Sequence, residues 1–403
     1  MLLLKKSLAG IPAFSVILAV MLSLTLFLVP SPVKAAGAFQ VSGKISGSYE
    51  TLADAFAAVN SSGQGSYTIT CSADTILDNT LYVGRSAAGY PVEGLDLTLK
   101  SSGETPYTIS PCDGFIDSSA TLLCLCSGCS LTMENVTLEG KNFPNIRGIN
   151  FAPGSLTLDR GATIQNCTFA VSAYIYVDNE GIGPAGDIIV NDGATITNCL
   201  TGLQVHGTCL INGGTFSGNN NVLALSKLGL TTDVAVTING GVFSGNTTVL
   251  RVSHNPYKAV SATVTVKDAS FYNNENDIWL QQGGSQRGIL IYNGSELIDD
   301  ETKELSYNIL TKEYKSEDGK TLKDSLSTLF LNGTESNKDA VLGSLEADII
   351  DGYFYKGYRI NFADLMIGTP VIGDGDTHLT YVYSEDSEDS DTAITPKVPS
   401  SGL

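Results

Sequence analysis

The chain has 403 residues and carries 42 acidic against 23 basic side chains, a formal charge of −19. That balance argues against nucleic acid and anionic membrane surfaces as partners. Three histidines in the whole chain are a thin supply of general bases.

At the N-terminus, Lys5 and Lys6 precede an apolar run from Leu8 to Val29, and Val33-Lys-Ala-Ala36 offers small residues for cleavage. A charged start, an apolar stretch and a small-residue site make a secretory signal peptide over residues 1–36, so a secreted or cell-surface location is expected. The run is also long enough to span a bilayer, which keeps an uncleaved anchor as the alternative and the only expected membrane contact. Loss of Lys5, Lys6 and Lys34 would leave 20 basic against 42 acidic residues, a formal charge of −22.

Leu52, Ala55, Phe56 and Val59 follow the i, i+3, i+4, i+7 stripe of an amphipathic helix over 51–60. Thr51 is placed to cap its free amides, and Asp54 favours the positive end of the helix dipole. Short alternating runs come next at Tyr67–Cys71, Thr80–Val83, Leu95–Leu99 and Tyr107–Ile109. They read as strands.

The most informative stretch lies further on. Leu210-Ile-Asn-Gly-Gly-Thr-Phe-Ser-Gly-Asn219 is nearly repeated as Val236-Thr-Ile-Asn-Gly-Gly-Val-Phe-Ser-Gly-Asn246. Aligning on the phenylalanine gives Leu138, Ile164, Ile196, Phe216, Phe243 and Phe271, at gaps of 26, 32, 20, 27 and 28 residues. Each copy has two or three short strands turned by Gly and Asn, and such a unit buries its apolar face only when stacked on its neighbours. The expected fold class is therefore all-β, a solenoid of β coils, with the helix at 51–60 plugging its first coil. Asn166, Asn198, Asn219, Asn246 and Asn273 follow the aligned residue and read as a structural ladder at a tight corner, because Asn tolerates left-handed backbone and amides can bond along a stack.

The helix at 51–60 and the Ile-Asn-Gly-Gly-x-Phe-Ser-Gly-Asn repeats resemble the right-handed parallel β-helix proteins of the pectate-lyase-like superfamily. Within it they resemble adhesin-like secreted or surface proteins of bacteria, over residues 45–298. The resemblance implies a right-handed solenoid across 37–298; the strong repeat, combined with the missing catalytic constellations, leads to the expectation of a non-catalytic adhesin-like function, binding glycans or surface partners along a face of the helix. An alternative is a polysaccharide lyase or glycoside hydrolase of the same fold; a third is a structural spacer of a longer surface protein. The superfamily's polygalacturonase-like branch places Asn-Thr-Asp, Asp-Asp, Gly-His-Gly and Arg-Ile-Lys in successive coils. This chain matches only Val205-His206-Gly207.

If the chain is an enzyme, the candidate catalytic residues are Arg251, His254, Lys258 and His206; Arg251, His254 and Tyr257 are the candidate ligand-binding residues. No metal or cofactor site is expected, although the acidic patch of Asp178, Glu180, Asp187 and Asp192 has the oxygen ligands calcium takes. Eight cysteines lie between Cys71 and Cys209, an even count that permits disulfides in an exported chain. Cys167 and Cys199 each follow a ladder asparagine and form a candidate disulfide pair between adjacent coils. Cys124, Cys126 and Cys129, near Cys112, read as small buried residues or disulfide partners.

Beyond Ile289–Tyr292 the repeat ends. Residues 299–383 read as a small C-terminal module, with short helices expected at Leu322–Phe330 and Lys338–Leu345 and strands at Ile349–Ile360 and Leu379–Tyr383, their tyrosines read chiefly as core. Asp299-Asp300 falls at its start. The Ser-Glu-Asp run and prolines of 384–403 read as a disordered acidic tail.

Overall fold

The computed structural model describes residues 37–115, 120–173, 177–178, 181–182, 186–225, 234–252, 261–281, 289–298, 303–334, 338–373, 375 and 377–385. Residues 1–36, expected to be a signal peptide, Asp299-Asp300 and nearly all of the expected acidic tail lie outside them.

From residue 65 the chain lays down strands in threes, each three a tier. Tier 1 is Gly65–Cys71, Thr75–Leu77 and Leu81–Val83; tier 2 is Leu95–Ser101, Tyr107–Pro111 and Thr121–Leu125. Tiers 3 and 4 are Ser130–Glu134, Val136–Glu139, Arg147–Phe151 and Ser155–Leu158, Thr163–Gln165, Phe169–Ala173. Tiers 5 and 6 are Asp187–Val190, Thr195–Thr197, Thr201–Val205 and Thr208–Ile211, Thr215–Ser217, Asn221–Leu225. Tiers 7 and 8 are Val234–Ile238, Val242–Ser244, Thr248–Val252 and Ser261–Val266, Ser270–Tyr272, Asn276–Leu280. In every tier the first strand joins sheet 1, the second sheet 2 and the third sheet 3, and each pairs in parallel with its counterpart one tier away. The result is three long parallel sheets wound about one core, a β-helix-like arrangement.

Alternation along each strand decides what that core contains. On sheet 1, Leu97, Leu131, Leu156 and Ile188 stack inward in register, while Thr98, Thr132 and Thr157 stack outward. Sheet 2 carries the repeat column: Ile109, Leu138, Ile164, Ile196, Phe216, Phe243 and Phe271 pair one above the next. The three phenylalanine rings stack at 4.7 and 4.9 Å with interplanar angles of 3° and 8°. Those spacings are the distance between neighbouring strands, so the rings ride on the backbone register without tilting.

The corner after sheet 2 holds two separate columns where the sequence suggests one. From tier 4 onward the first residue beyond the strand takes a left-handed backbone: Asn166 (φ 57°), Asn198 (φ 54°), Gly218 (φ 64°), Gly245 (φ 63°) and Asn273 (φ 55°). Asn and Gly are the residues that enter this region at low cost. The next residue points inward, and there Asn219, Asn246 and Asn274 form the amide ladder. Asn219 Nδ2 donates to Asn246 Oδ1 at 3.1 Å, and Asn246 Nδ2 to Asn274 Oδ1 at 3.0 Å. The same oxygens accept the backbone amides of Asn219 and Asn246. Thus Asn166, Asn198 and Asn273 turn the corner, Asn219 and Asn246 are ladder rungs, and Asn274 is the rung that alignment on one position overlooks. Cys167 and Cys199 occupy the ladder column in tiers 4 and 5. Both are buried free thiols with no disulfide between them, Cys167 donating to the Gln165 carbonyl and Cys199 to the Thr197 carbonyl, each at 3.3 Å.

The ladder stops at Asp277. Its carboxylate accepts Asn274 Nδ2 at 2.9 Å and the Ile309 amide at 2.6 Å, and burial pushes its pKa up to about 7.

Two structures flank the tiers. Before tier 1, Phe39–Gly43 runs antiparallel to Gly65–Cys71 and to Gly47–Tyr49, extending sheet 1 ahead of the regular winding. The helix Leu52–Ser62 follows, with Thr51 Oγ1 accepting the Asp54 amide at 3.1 Å and Leu52, Ala55, Phe56 and Val59 packed into the common core. Asn60 fixes its far end, donating to the Tyr82 carbonyl and accepting the Gly84 amide.

After tier 8, Leu305–Ser316 pairs antiparallel with Asn276–Leu280, so the C-terminal strands continue sheet 3. The segment expected as a helix at Leu322–Phe330 is the strand Thr321–Leu331, zipped against Leu305–Ser316 through a turn at Gly319. Long-range pairing outweighs its weak helical pattern. Lys338–Leu342 is helical. Tyr314, Tyr358, Tyr381 and Tyr383 are buried with Leu379 in a second small core. Phe362 packs on Tyr272, and Thr377 Oγ1 donates to the Phe271 carbonyl, covering the last strand of sheet 2.

Candidate functional site

The outward side of sheet 3 carries a row of aromatic, amide and cationic groups that a ligand can reach. Inward positions such as Leu123, Ile149 and Leu203 are buried, so the alternate positions between them must face out. Tyr82, Cys124 and Asn150 pair in register at one end, Ser172 and Gln204 continue the row, and Ala224, Arg251 and Trp279 complete it. Apart from the buried Ser172, these side chains are half-buried. The row carries no carboxylate.

Its members interact along the row. Ser172 Oγ donates to Gln204 Oε1 at 3.0 Å, and the Arg251 guanidinium lies 4.9 Å from the centre of the Trp279 ring. At the other end the Arg85 guanidinium lies 4.4 Å from the Tyr82 ring. Each pair presents a flat, partly apolar surface with donors at its edge, the form in which Arg and aromatic rings meet a ligand that is apolar on one face and hydroxylated at its rim.

A cleft of about 670 Å³ opens beside Tyr82 and Arg85, bounded by Pro91 and Glu93 on one side and by Cys124, Cys126 and Asn150 on the other. A second cavity, of about 1040 Å³, lies between tier 8 and the C-terminal strands. Its amides bond mainly to one another, as where Asn332 Nδ2 donates to Asn308 Oδ1 at 2.6 Å.

Of the residues singled out from sequence, Arg251 stands in the row. His206 is buried two tiers earlier; among the described residues neither ring nitrogen has a hydrogen-bond partner, and burial pushes its pKa down to about 4. A neutral imidazole held this way is core, and it does not meet Arg251. His254, Tyr257 and Lys258 lie outside the described residues, as do Glu180 and the side chain of Asp178. Asp187 accepts the Thr208 hydroxyl. Among the described residues no group of three His, Cys, Asp or Glu side chains is arranged to hold a metal ion.

Tyr82, Arg85 and Trp279 escaped the sequence reading, although a signal existed for the last. Ser172, Gln204, Ala224, Arg251 and Trp279 each stand eight residues after the aligned residue of their tier. A constant offset places them on one face, but only the pairing of tiers shows that face to be the accessible one. No family model, curated protein or solved structure matches this chain.

Proposed function

We propose that the chain is a right-handed parallel β-helix of the pectate-lyase-like kind, secreted or displayed at a cell surface, that holds a glycan along the outward face of sheet 3 without cleaving it. The observation that carries this reading is the register of that face. Tiers repeat at about 4.8 Å, so Tyr82, Asn150, Gln204, Arg251 and Trp279 form a linear track of rings and amides spanning tiers 1 to 8. A polymer of sugars has the matching form: apolar ring faces for Tyr82 and Trp279, and hydroxyls for the amides.

Hydrolysis by paired carboxylates would need two of them flanking the bond to be cut. The absence of any from the track favours retention over turnover, and the burial of His206 removes one candidate base from it.

The test is a glycan array and a depolymerisation assay on the chain without residues 1–36, with and without calcium, on uronate-containing and neutral polysaccharides. Retention without new reducing or unsaturated ends, reduced at least about tenfold by Trp279→Ala, is the expected result. Turnover would overturn the non-catalytic reading. Retention unchanged in Trp279→Ala and Tyr82→Ala would move the site off sheet 3.

A further inference from the structure

Two thiols, Cys124 and Cys126, line the sheet-3 cleft, and a third, Cys129, is buried close to Cys126. Cys126-Ser-Gly-Cys129 forms the turn after tier 2, closed by the Cys129 amide donating to the Cys126 carbonyl at 3.3 Å. Such a turn brings its end Cα atoms within about 7 Å, overlapping the separation a disulfide tolerates. Gly84 shows how tightly the two are placed. A Cβ on Gly84 would lie 2.4 Å from Cys129 Sγ and 3.2 Å from Cys126 Cβ, so the glycine is what leaves room for the pair.

The two thiols are not equivalent. Cys126 lines the cleft, whereas Cys129 is only 2 % exposed and donates its S–H to the Val92 carbonyl at 3.0 Å. We propose that Cys126 and Cys129 are a thiol–disulfide exchange pair acting on low-molecular-weight disulfides that enter the cleft, with Cys126 attacking and Cys129 resolving.

The surroundings support that division. A hydrogen bond from Cys124, and to a lesser degree the Arg85 charge, lower the Cys126 pKa against the opposing effect of burial. Burial raises that of Cys129. An attacking thiol needs thiolate character and access, while its partner needs only proximity.

In the first step the Cys126 thiolate attacks one sulfur of R–S–S–R. A bond forms between Cys126 Sγ and that sulfur, the original S–S bond breaks, and RS⁻ leaves and takes up a proton. In the second step Cys129 loses its proton and attacks Cys126 Sγ, expelling the second RS⁻. The two protein thiols are oxidised to one disulfide and the small disulfide is reduced to two thiols.

The experiment uses the reduced full chain with glutathione disulfide as the probe, followed by alkylation and peptide mass mapping. On the unmodified chain, iodoacetamide at pH 7 should label Cys126 about tenfold faster than the half-buried Cys112, and oxidation should join Cys126 to Cys129. Cys129→Ser should accumulate glutathione on Cys126, and Cys126→Ser should accumulate none at this site. Equal labelling of Cys126 and Cys112 would overturn the proposal, as would a first bridge between Cys124 and Cys126. The labelling needs no substitution, so a variant that fails to fold does not protect the proposal.

Discussion

Asn246 Oδ1 accepts two hydrogen bonds from Asn219, one from its side-chain amide at 3.1 Å and one from its backbone amide at 2.9 Å. Asn246 Nδ2 in turn donates to the Phe216 carbonyl at 2.9 Å and to Asn274 Oδ1 at 3.0 Å. One side chain thereby satisfies buried groups on two neighbouring tiers.

Removing it strands one of them. Asn246→Ala leaves the buried backbone amide of Asn219 without its acceptor, at about 1–3 kcal/mol. Asn198→Gly, at a left-handed corner where glycine is equally at home, should change stability by less than about 1 kcal/mol. Denaturant melts of the two variants distinguish the columns; equal losses would mean that ladder and corner are one structure.

The phenylalanine stack makes a graded prediction. Phe243 is fully buried between Phe216 and Phe271, so Phe243→Ala should cost about 3–5 kcal/mol through lost burial and an unfilled cavity. Phe243→Leu should cost less than half as much, because the same column accepts Leu138, Ile164 and Ile196 in earlier tiers. Thermal unfolding of the two variants checks the ratio.

Asp277 sets a pH dependence on the junction with the C-terminal strands. Its folded pKa of about 7 lies above the usual 3.8, so between those values the folded state holds a proton that the unfolded state has released. Stability from this group is fully present below about pH 4 and is lost as pH rises towards 7. Melts of the wild type and Asp277→Asn from pH 4 to pH 8 should show a decline in the former that is shallower in the latter; parallel curves would contradict the assignment.

Glu313 acts with the opposite sign. Burial opposes its charge, but the hydrogen bond from His378 Nε2 at 3.0 Å and the ion pair with Lys315 at 3.0 Å outweigh burial and bring its pKa down to about 2. Its contribution is present above about pH 4.5 and disappears as pH falls towards 2. Glu313→Gln should flatten that acid limb, which circular dichroism of the C-terminal strands' unfolding can follow.

His206 offers a direct check on its role. With neither ring nitrogen paired among the described residues, His206→Leu keeps the volume and deletes two unsatisfied polar atoms, so stability at pH 7 should change by no more than about 1 kcal/mol. The wild type should lose stability between about pH 6.5 and 4, where the unfolded chain takes up a proton that the buried ring resists; the variant should not. A large loss at pH 7 would mean that the imidazole has a polar partner.

The sequence by itself determined the repeat, because inward positions must be apolar and corners must accept left-handed backbone wherever the winding goes. Leu138, Ile164, Ile196, Phe216, Phe243 and Phe271 are recognisable from spacing, and they share one column. Only the tertiary structure decided which of two adjacent asparagines in a corner turns the chain and which bonds along the stack, since Asn273 and Asn274 differ in orientation and not in composition. It likewise decided that Thr321–Leu331 pairs as a strand, through contacts with residues that precede it by a hairpin. It buried His206 and set Arg251 over Trp279, 28 residues further along, because pairing between tiers joins positions whose distance along the chain varies with every loop.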